Sequence, residues 1–136
     1  MCSGGGAAVW AIAVTARSGA ATVLGRSEET PKSNCPESAI PSAPTTAMML
    51  AVARAAVPLG VDVKGATAGF GAALITDEAA LAVAGRAVVA AVGAAAGPFD
   101  GVVVSAFGDP GLEDLRERVR CPVTGLAEAA MAQAAA

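Results

Sequence analysis

The segment from Val102 to Met131 constrains the fold more strongly than any other part of the chain. It reads VVVSAFGDPGLEDLRERVRCPVTGLAEAAM, so an apolar run is followed by a Gly-Asp-Pro-Gly turn and then by a charged stretch. The run from Phe99 to Ser105 is short and rich in Val, which is typical of a strand in a parallel sheet covered on both faces. Asp109 has the side chain of an N-cap, and Pro110 suits the first position of a helix. The sequence therefore predicts a helix that begins at Pro110 and is capped by Asp109.

A helix that starts directly after a strand has a consequence for binding. The N–H groups of its first turn lack partners within the helix and face the carboxyl end of the strand, where open α/β sheets bind their ligands. These groups favour a carboxylate or a phosphate, so residues 105–111 are predicted to form an anion site. Asp109 is interpreted as a structural cap rather than a catalytic base. The Ser105 hydroxyl is equally suited to bonding the backbone and to contacting a ligand.

Helical and strand-like segments alternate from about Thr45 onwards, in the order αβαβαβα. Pro58 and Gly97-Pro98 end two of the helical patterns, and Asp77 favours the start of the second. The alternation predicts an α/β domain over residues 45–136, with three or four strands in a parallel sheet flanked by helices in three layers. The predicted elements include a helix over 45–57, a strand over 61–67, a loop at 69–71, a helix over 77–96 and a strand over 99–105.

Residues 1–44 differ in character from the rest of the chain. Between 16 and 44 they are rich in Ser, Thr, Pro and Glu without periodicity, which predicts an irregular or partly disordered segment. A parallel sheet of this kind needs a strand before its first helix, and residues 32–37 do not resemble one. Either the apolar run from Ala8 to Thr15 supplies that strand across a long loop, which we favour, or the strand is absent. A third possibility is that residues 1–37 are not a native reading of the gene.

Length and composition exclude several classes of protein. A chain of 136 residues has the length of one domain. Its net charge of -3, with scattered Lys and Arg, offers no basic surface for a phosphate backbone, so no nucleic-acid partner is expected. The longest apolar run, Ala7 to Ala16, is short of the roughly 20 residues of a membrane span and lacks the preceding basic residues of a secretory signal. We therefore expect a cytoplasmic protein without a membrane partner.

The three cysteines and the absence of histidine restrict the metal sites, disulfides and catalytic mechanisms that the chain could have. Cys2, Cys35 and Cys121 are widely spaced and form no CxxC motif, so neither a zinc or other metal site nor a disulfide framework is expected. Without histidine, Ser-His-Asp and Cys-His catalysis are excluded. Cys121 is interpreted as structural, at the start of a strand and at the opposite end of the sheet from the ligand loops. Gly69-Phe70-Gly71 lacks the third glycine of a dinucleotide-binding loop and predicts only a turn.

The stretch from Ala106 to Leu112 resembles a motif of the aspartate/glutamate and hydantoin racemases, whose first domain carries Cys-or-Ala-Phe-Gly-Asp-Pro-Gly-Leu after a strand. The similarity continues over 122–129, which corresponds to the family's next strand and helix, and extends more loosely back to Thr45. The resemblance implies a racemase-like domain that is one half of a two-domain architecture. It also implies cofactor-independent isomerisation of a small-molecule carboxylate or hydantoin, at the carbon next to a carboxyl or carbonyl group.

The resemblance also assigns a site. The family's Asn-Pro-Asn-Thr/Ser loop corresponds to residues 38–46, in which Ser42, Thr45 and Thr46 fit but both asparagines are lost. The ligand is expected near Ser42, Thr45, Ser105, Ala106, Phe107 and Gly108. Ala106 occupies the position of the family's first catalytic cysteine, and the second would lie beyond Ala136. A thiolate suits proton removal because nearby N–H groups lower its pKa and stabilise the developing enolate.

Three functions remain open on these residues. The chain is a racemase, a related decarboxylase of the kind that keeps one cysteine, or a non-catalytic remnant that binds carboxylates or other proteins. The expected protein partner is a second racemase-like domain or another copy of the chain in a homo-oligomer. Because Ala106 cannot transfer a proton, activity of the chain by itself is not expected.

Overall fold

The computed structural model describes residues 11–17, 43–72, 74–95 and 98–136. From Ala43 the order is αβαβαβα, as predicted. The elements are β1 Ala11–Arg17, α1 Ala43–Ala56, β2 Val61–Thr67, α2 Glu78–Ala94, β3 Gly101–Ser105, α3 Leu112–Arg118, β4 Val123–Gly125 and α4 Leu126–Ala134. The protein is therefore α/β. Most of the segment predicted to be irregular, residues 1–44, lies outside the described residues.

The ends of α1 and α2 follow local signals in the sequence. Pro58 comes just after α1, and Gly60, with φ +88°, turns the chain into β2. At the start of α2 the backbone N–H of Ala80 donates to the Asp77 carboxylate at 2.8 Å. Asp77 is thus an N-cap of the usual kind, since it satisfies a donor that the first helical turn leaves free.

Within the described residues the sheet contains four strands in the order β2-β1-β3-β4. β3 and β4 are parallel, whereas β1 is antiparallel to both β2 and β3. β2, β3 and β4 therefore share one direction, as predicted, and the prediction of a wholly parallel sheet is wrong for β1. An apolar run predicts that a strand will pair but not in which direction. The long segment between Arg17 and Ala43 permits either direction, because only a short connection forces one.

The strand that precedes α1 does come from the N-terminal apolar run: it is described over Ala11–Arg17, whereas residues 8–10 of the predicted 8–15 lie outside the described residues. Of the alternatives open on the sequence, the described residues support the first. Whether residues 1–37 are a native reading of the gene stays a hypothesis.

The core consists of small side chains between α2 and the sheet. Ala84, Ala87, Val88 and Val92 of α2 are buried. They pack with buried residues of the strands and of α3, namely Val102, Val104, Leu112, Leu115 and Val123. On β2, Ala66 packs against this cluster, whereas a Cβ on Gly65 would meet Thr46 and Leu50 of α1. Alternate residues of β2 therefore face different helices, as the pleat of a strand requires.

The start of α3 differs from the prediction. The helix begins at Leu112 rather than at Pro110, and its N-cap position is held by Gly111, which has φ +72° and makes no side-chain cap. Pro110 and Gly111 instead form the corner of a turn that the Leu112 N–H closes onto the Asp109 carbonyl at 3.3 Å. Proline followed by a residue with positive φ is the signature of a type II turn. The turn separates Asp109 from α3, so Asp109 does not cap this helix.

Candidate functional site

The register of the sheet brings three strand ends to one edge. Ala11 pairs with both Thr67 and Ser105, and Val104 pairs with Gly125. The last residues of β2, β3 and β4 therefore lie at the same level, with Thr67 and Ser105 roughly 10 Å apart across β1, since neighbouring strands are about 4.8 Å apart. We call these three residues, with the loops that follow them, the carboxyl edge.

The first turn of α1 lies at the carboxyl edge. The hydroxyls of Thr46 and Thr67 are 2.7 Å apart and share a hydrogen bond. This contact places the half-buried Thr45, which precedes Thr46 in α1, beside the end of β2. Ser42 lies outside the described residues.

Ser105 and Ala106 end β3 at the same edge. Ser105 is only 6% exposed, yet its hydroxyl makes no hydrogen bond within the described residues. Ala106 is 4% exposed and belongs to the core. The edge thus places a hydroxyl that has no partner in the described part of the chain next to a methyl group that has no acid–base chemistry.

The chain leaves β3 through two consecutive turns. In the first, the Asp109 N–H donates to the Ala106 carbonyl at 3.1 Å, and Gly108 adopts φ +93°. Phe107, beside Gly108, is 76% exposed. Glycine is the residue best able to adopt such a φ without strain. Phe107 and Gly108 therefore lie on the open side of the carboxyl edge, next to Ser105.

The second turn is fixed by contact between two backbones. A Cβ on Gly111 would lie 2.7 Å from the Gly85 carbonyl oxygen and 2.9 Å from its Cα. Side chains larger than hydrogen would separate α2 from the turn, so both glycines are needed for this approach.

Asp109 caps a helix other than the predicted one. Its carboxylate accepts hydrogen bonds from the backbone N–H groups of Ala127 at 2.9 Å and Glu128 at 2.7 Å. Both groups belong to the first turn of α4, whose own N-cap residue, Gly125, has no side chain to do this. The structural interpretation of Asp109 as a cap is therefore right in kind, but the prediction assigned it to the wrong helix.

Arg116 links α3, β4 and α4. Its guanidinium bonds both carboxylate oxygens of Glu128 at 2.8 Å, the Glu113 carboxylate at 2.9 Å and the Val123 carbonyl at 3.1 Å. The hydrogen bonds that Arg116 donates to Glu128 lower the pKa of the Glu128 carboxyl group and raise the pKa of Arg116. Sequence reasoning missed this network, because no local pattern links position 116 to position 128.

The remaining expectations concern Cys121, metals and membranes. Cys121 carries a free, half-buried thiol just before β4, so it lies at the opposite end of the sheet from the carboxyl edge, as predicted. Within the described residues, no three Cys, Asp or Glu side chains cluster as metal ligands. No helix among these residues combines the length and the apolar character needed to cross a bilayer.

The chain is an α/β protein with polar groups at the carboxyl ends of its strands, the edge at which open α/β sheets place their ligands. The profile of the Asp/Glu/Hydantoin racemase family matches residues 41–136. The chain therefore belongs to this family, and the resemblance to it is confirmed. Searches of curated proteins and of solved structures gave no match.

Proposed function

We propose that the carboxyl edge binds the carboxylate, or the hydantoin ring, of a small substrate of a racemase-type isomerase. The observation that carries the proposal is the almost buried Ser105, whose hydroxyl has no partner within the described residues and which ends β3 three residues before the turn at Gly108. Such a group can bond a ligand oxygen without first breaking a bond inside the protein. The binding residues we propose are Ser42, Thr45, Ser105, Ala106, Phe107 and Gly108.

The proposed site is one half of a two-domain, cofactor-independent enzyme. Phe107 of the turn after β3, with Phe70 and Leu74 of the loop after β2, exposes apolar surface at the carboxyl edge. Apolar surface beside a polar site is suited to being covered by a second domain, which would exclude water from the substrate. In the full architecture we propose, helices cover both faces of the sheet in three layers. We place the activity in the cytoplasm, where thiols such as Cys121 stay reduced.

Proton transfer is the step that this half-site does not supply. Isomerisation needs a base at one face of the α-carbon and an acid at the other. Ala106 stands where the family's first cysteine would act, and its methyl group can do neither. In this proposal the chain binds and orients the substrate, and proton transfer depends on groups outside the described residues.

Ala106 also favours a second candidate function. A domain that keeps the Ser105 hydroxyl but has alanine in place of the cysteine at position 106 is suited to binding a carboxylate without catalysing its conversion. A related decarboxylase would need a thiol at only one of the two positions. Binding and turnover must therefore be measured separately.

Binding is tested by titrating the isotope-labelled chain with glutamate, aspartate and hydantoin while recording amide NMR shifts. We expect saturable shifts at Thr67, Ser105 and Gly108, with millimolar affinity because no opposing domain desolvates the ligand. Ser105→Ala should weaken binding several-fold, whereas Thr124→Val, which removes a hydroxyl on β4 that bonds Glu128, should not. Shifts that are absent, or that are equally affected by both substitutions, would contradict the proposal.

A further inference from the structure

A cavity lies at the opposite end of the sheet from the carboxyl edge. Its volume is about 610 Å³, within the range of small-molecule sites. Val92 of α2, Leu115 of α3 and Phe99 before β3 form its apolar floor, and the first two are almost fully buried. We call it the amino-edge cavity, since it opens near the residues that precede β3 and β4. None of its lining residues belongs to the carboxyl edge.

The charged side chains that line the amino-edge cavity have one sign. Arg118 and Arg120 line it, and no carboxylate among the described residues does. Both arginines are exposed, and neither forms an ion pair within the described part of the chain. The ion pairs found there join Arg116 to Glu113 and to Glu128. Arg118 ends α3 and complements the carboxyl end of that helix, but Arg120 lies beyond it. Two guanidinium groups of one cavity without a counter-charge favour an anion.

We propose that the amino-edge cavity binds a small amphiphilic carboxylate. The apolar chain of the ligand lies on the floor formed by Val92, Phe99 and Leu115, and its head group bonds Arg118 and Arg120. Guanidinium groups suit this task because their planar fork matches a carboxylate with two hydrogen bonds. A charged amino acid such as glutamate is rejected, since its ammonium group would lose water without gaining a partner. The site is thus separate from the proposed isomerase site in both place and ligand.

The proposal is tested on the full chain with octanoate as the probe. In amide NMR titrations we expect saturable shifts at Gly93, Phe99 and Cys121 and none at Ser105. Acetate has the same head group without the chain, and octylammonium has the chain with the opposite charge. Both should bind at least about ten-fold more weakly than octanoate. Equal binding of octylammonium would overturn the proposal.

Two kinds of substitution test the two parts of the cavity. Combined Arg118→Gln and Arg120→Gln should weaken octanoate binding about ten-fold or more, whereas Arg86→Gln, which removes an exposed arginine of α2 outside the cavity, should leave it unchanged. Gly93 lines the cavity, so Gly93→Leu should obstruct it. The variant should still fold, because a Cβ on Gly93 would meet no atom within 4 Å and leucine favours the helix. Folding of the variants is checked by their amide spectra, and octanoate affinity that is unchanged in the double arginine variant or in Gly93→Leu would overturn the proposal.

The Cys121 thiol provides an independent readout. With Cys2 and Cys35 replaced by Ser, bound octanoate should slow alkylation of Cys121 by N-ethylmaleimide several-fold, and glutamate should not. Octanoate shifts without protection of Cys121 would show that the ligand binds elsewhere and would overturn the assignment. Octanoate and glutamate binding are followed at opposite ends of the sheet. A negative octanoate result therefore leaves the isomerase proposal standing, and a negative glutamate result leaves the proposal for the amino-edge cavity standing.

Discussion

The Asp109 carboxylate accepts a hydrogen bond from the backbone N–H of Glu128 at 2.7 Å, across the gap between the turn after β3 and the helix after β4. The Glu128 side chain in turn binds Arg116 of α3. One residue of α4 is therefore held through its backbone by Asp109 and through its side chain by Arg116. The short α4, which has no buried residue of its own, depends on these contacts for its position.

Removing the Asp109 carboxylate should destabilise the protein. Asp109→Ala deletes two hydrogen bonds to α4 and places alanine at a backbone with φ +47°, so we expect a loss of about 1 to 2 kcal/mol in the free energy of unfolding. Asp109→Asn keeps one acceptor oxygen and tolerates this φ, so its cost should be smaller. Urea denaturation measures both variants. Asp62→Ala, at an exposed site on β2, is the control, and an equal loss there would contradict a specific role of Asp109.

Replacing Gly125 should also destabilise the protein, because its lack of a side chain leaves room for the Asp109 carboxylate. A Cβ at Gly125 would overlap the Asp109 carboxylate, although the Gly125 backbone, at φ -99°, accepts alanine. Gly125→Ala should therefore cost about as much as Asp109→Ala. In the double variant the overlap disappears. Its loss in the free energy of unfolding should therefore be about 1 kcal/mol smaller than the sum of the two single losses, as measured by urea denaturation in a double-mutant cycle. Additive losses would show that Gly125 acts independently of Asp109.

The ion pair of Arg116 and Glu128 should make α4 sensitive to acid. Hydrogen bonds from Arg116 lower the pKa of Glu128 in the folded state, so the stability that this pair contributes is present above the unfolded-state pKa and is lost as pH falls through the folded-state pKa. Arg116→Gln should raise the pKa of Glu128 toward its ordinary value. Carbon-13 NMR of the Glu128 carboxyl group measures the change. Arg86→Gln should leave that pKa where it is, and an unchanged pKa in Arg116→Gln would refute the assignment.

The position of Ala106 predicts the outcome of an exchange experiment. The chain should exchange the α-proton of glutamate with deuterated water no faster than buffer does, since no side chain at the end of β3 can act as a base. Ala106→Cys restores a thiol there, and one base suffices for exchange even though racemisation needs two groups. We expect exchange to become measurable by proton NMR in this variant. The Ala106→Ser variant has a similar size without a thiolate, and exchange in it equal to that of Ala106→Cys would contradict the assignment.

Much of the fold could be predicted because its signals are local. Pro58 after α1 and Asp77 before α2 lie beside the helix ends they mark, and the Val-rich run ending at Ser105 is β3. The direction of β1 and the role of Asp109 could not be predicted, since both depend on elements distant in the sequence. Two local signals were available: proline followed by glycine at 110 and 111 indicates a turn, and Gly125 before α4 indicates a helix without a side-chain cap of its own.

The central place of β1 has a consequence for how the chain folds. β3 and β4 pair across the short α3 segment, whereas β1 meets β3 only after most of the chain has been made and folded back. Closing larger loops costs more entropy, so contacts between distant segments form late and slowly. We therefore expect folding to nucleate around β3 and α3 and to finish when β1 inserts between β2 and β3. Until that insertion, β2 and β3 each present an unpaired edge, which makes the last intermediate the species most prone to aggregate.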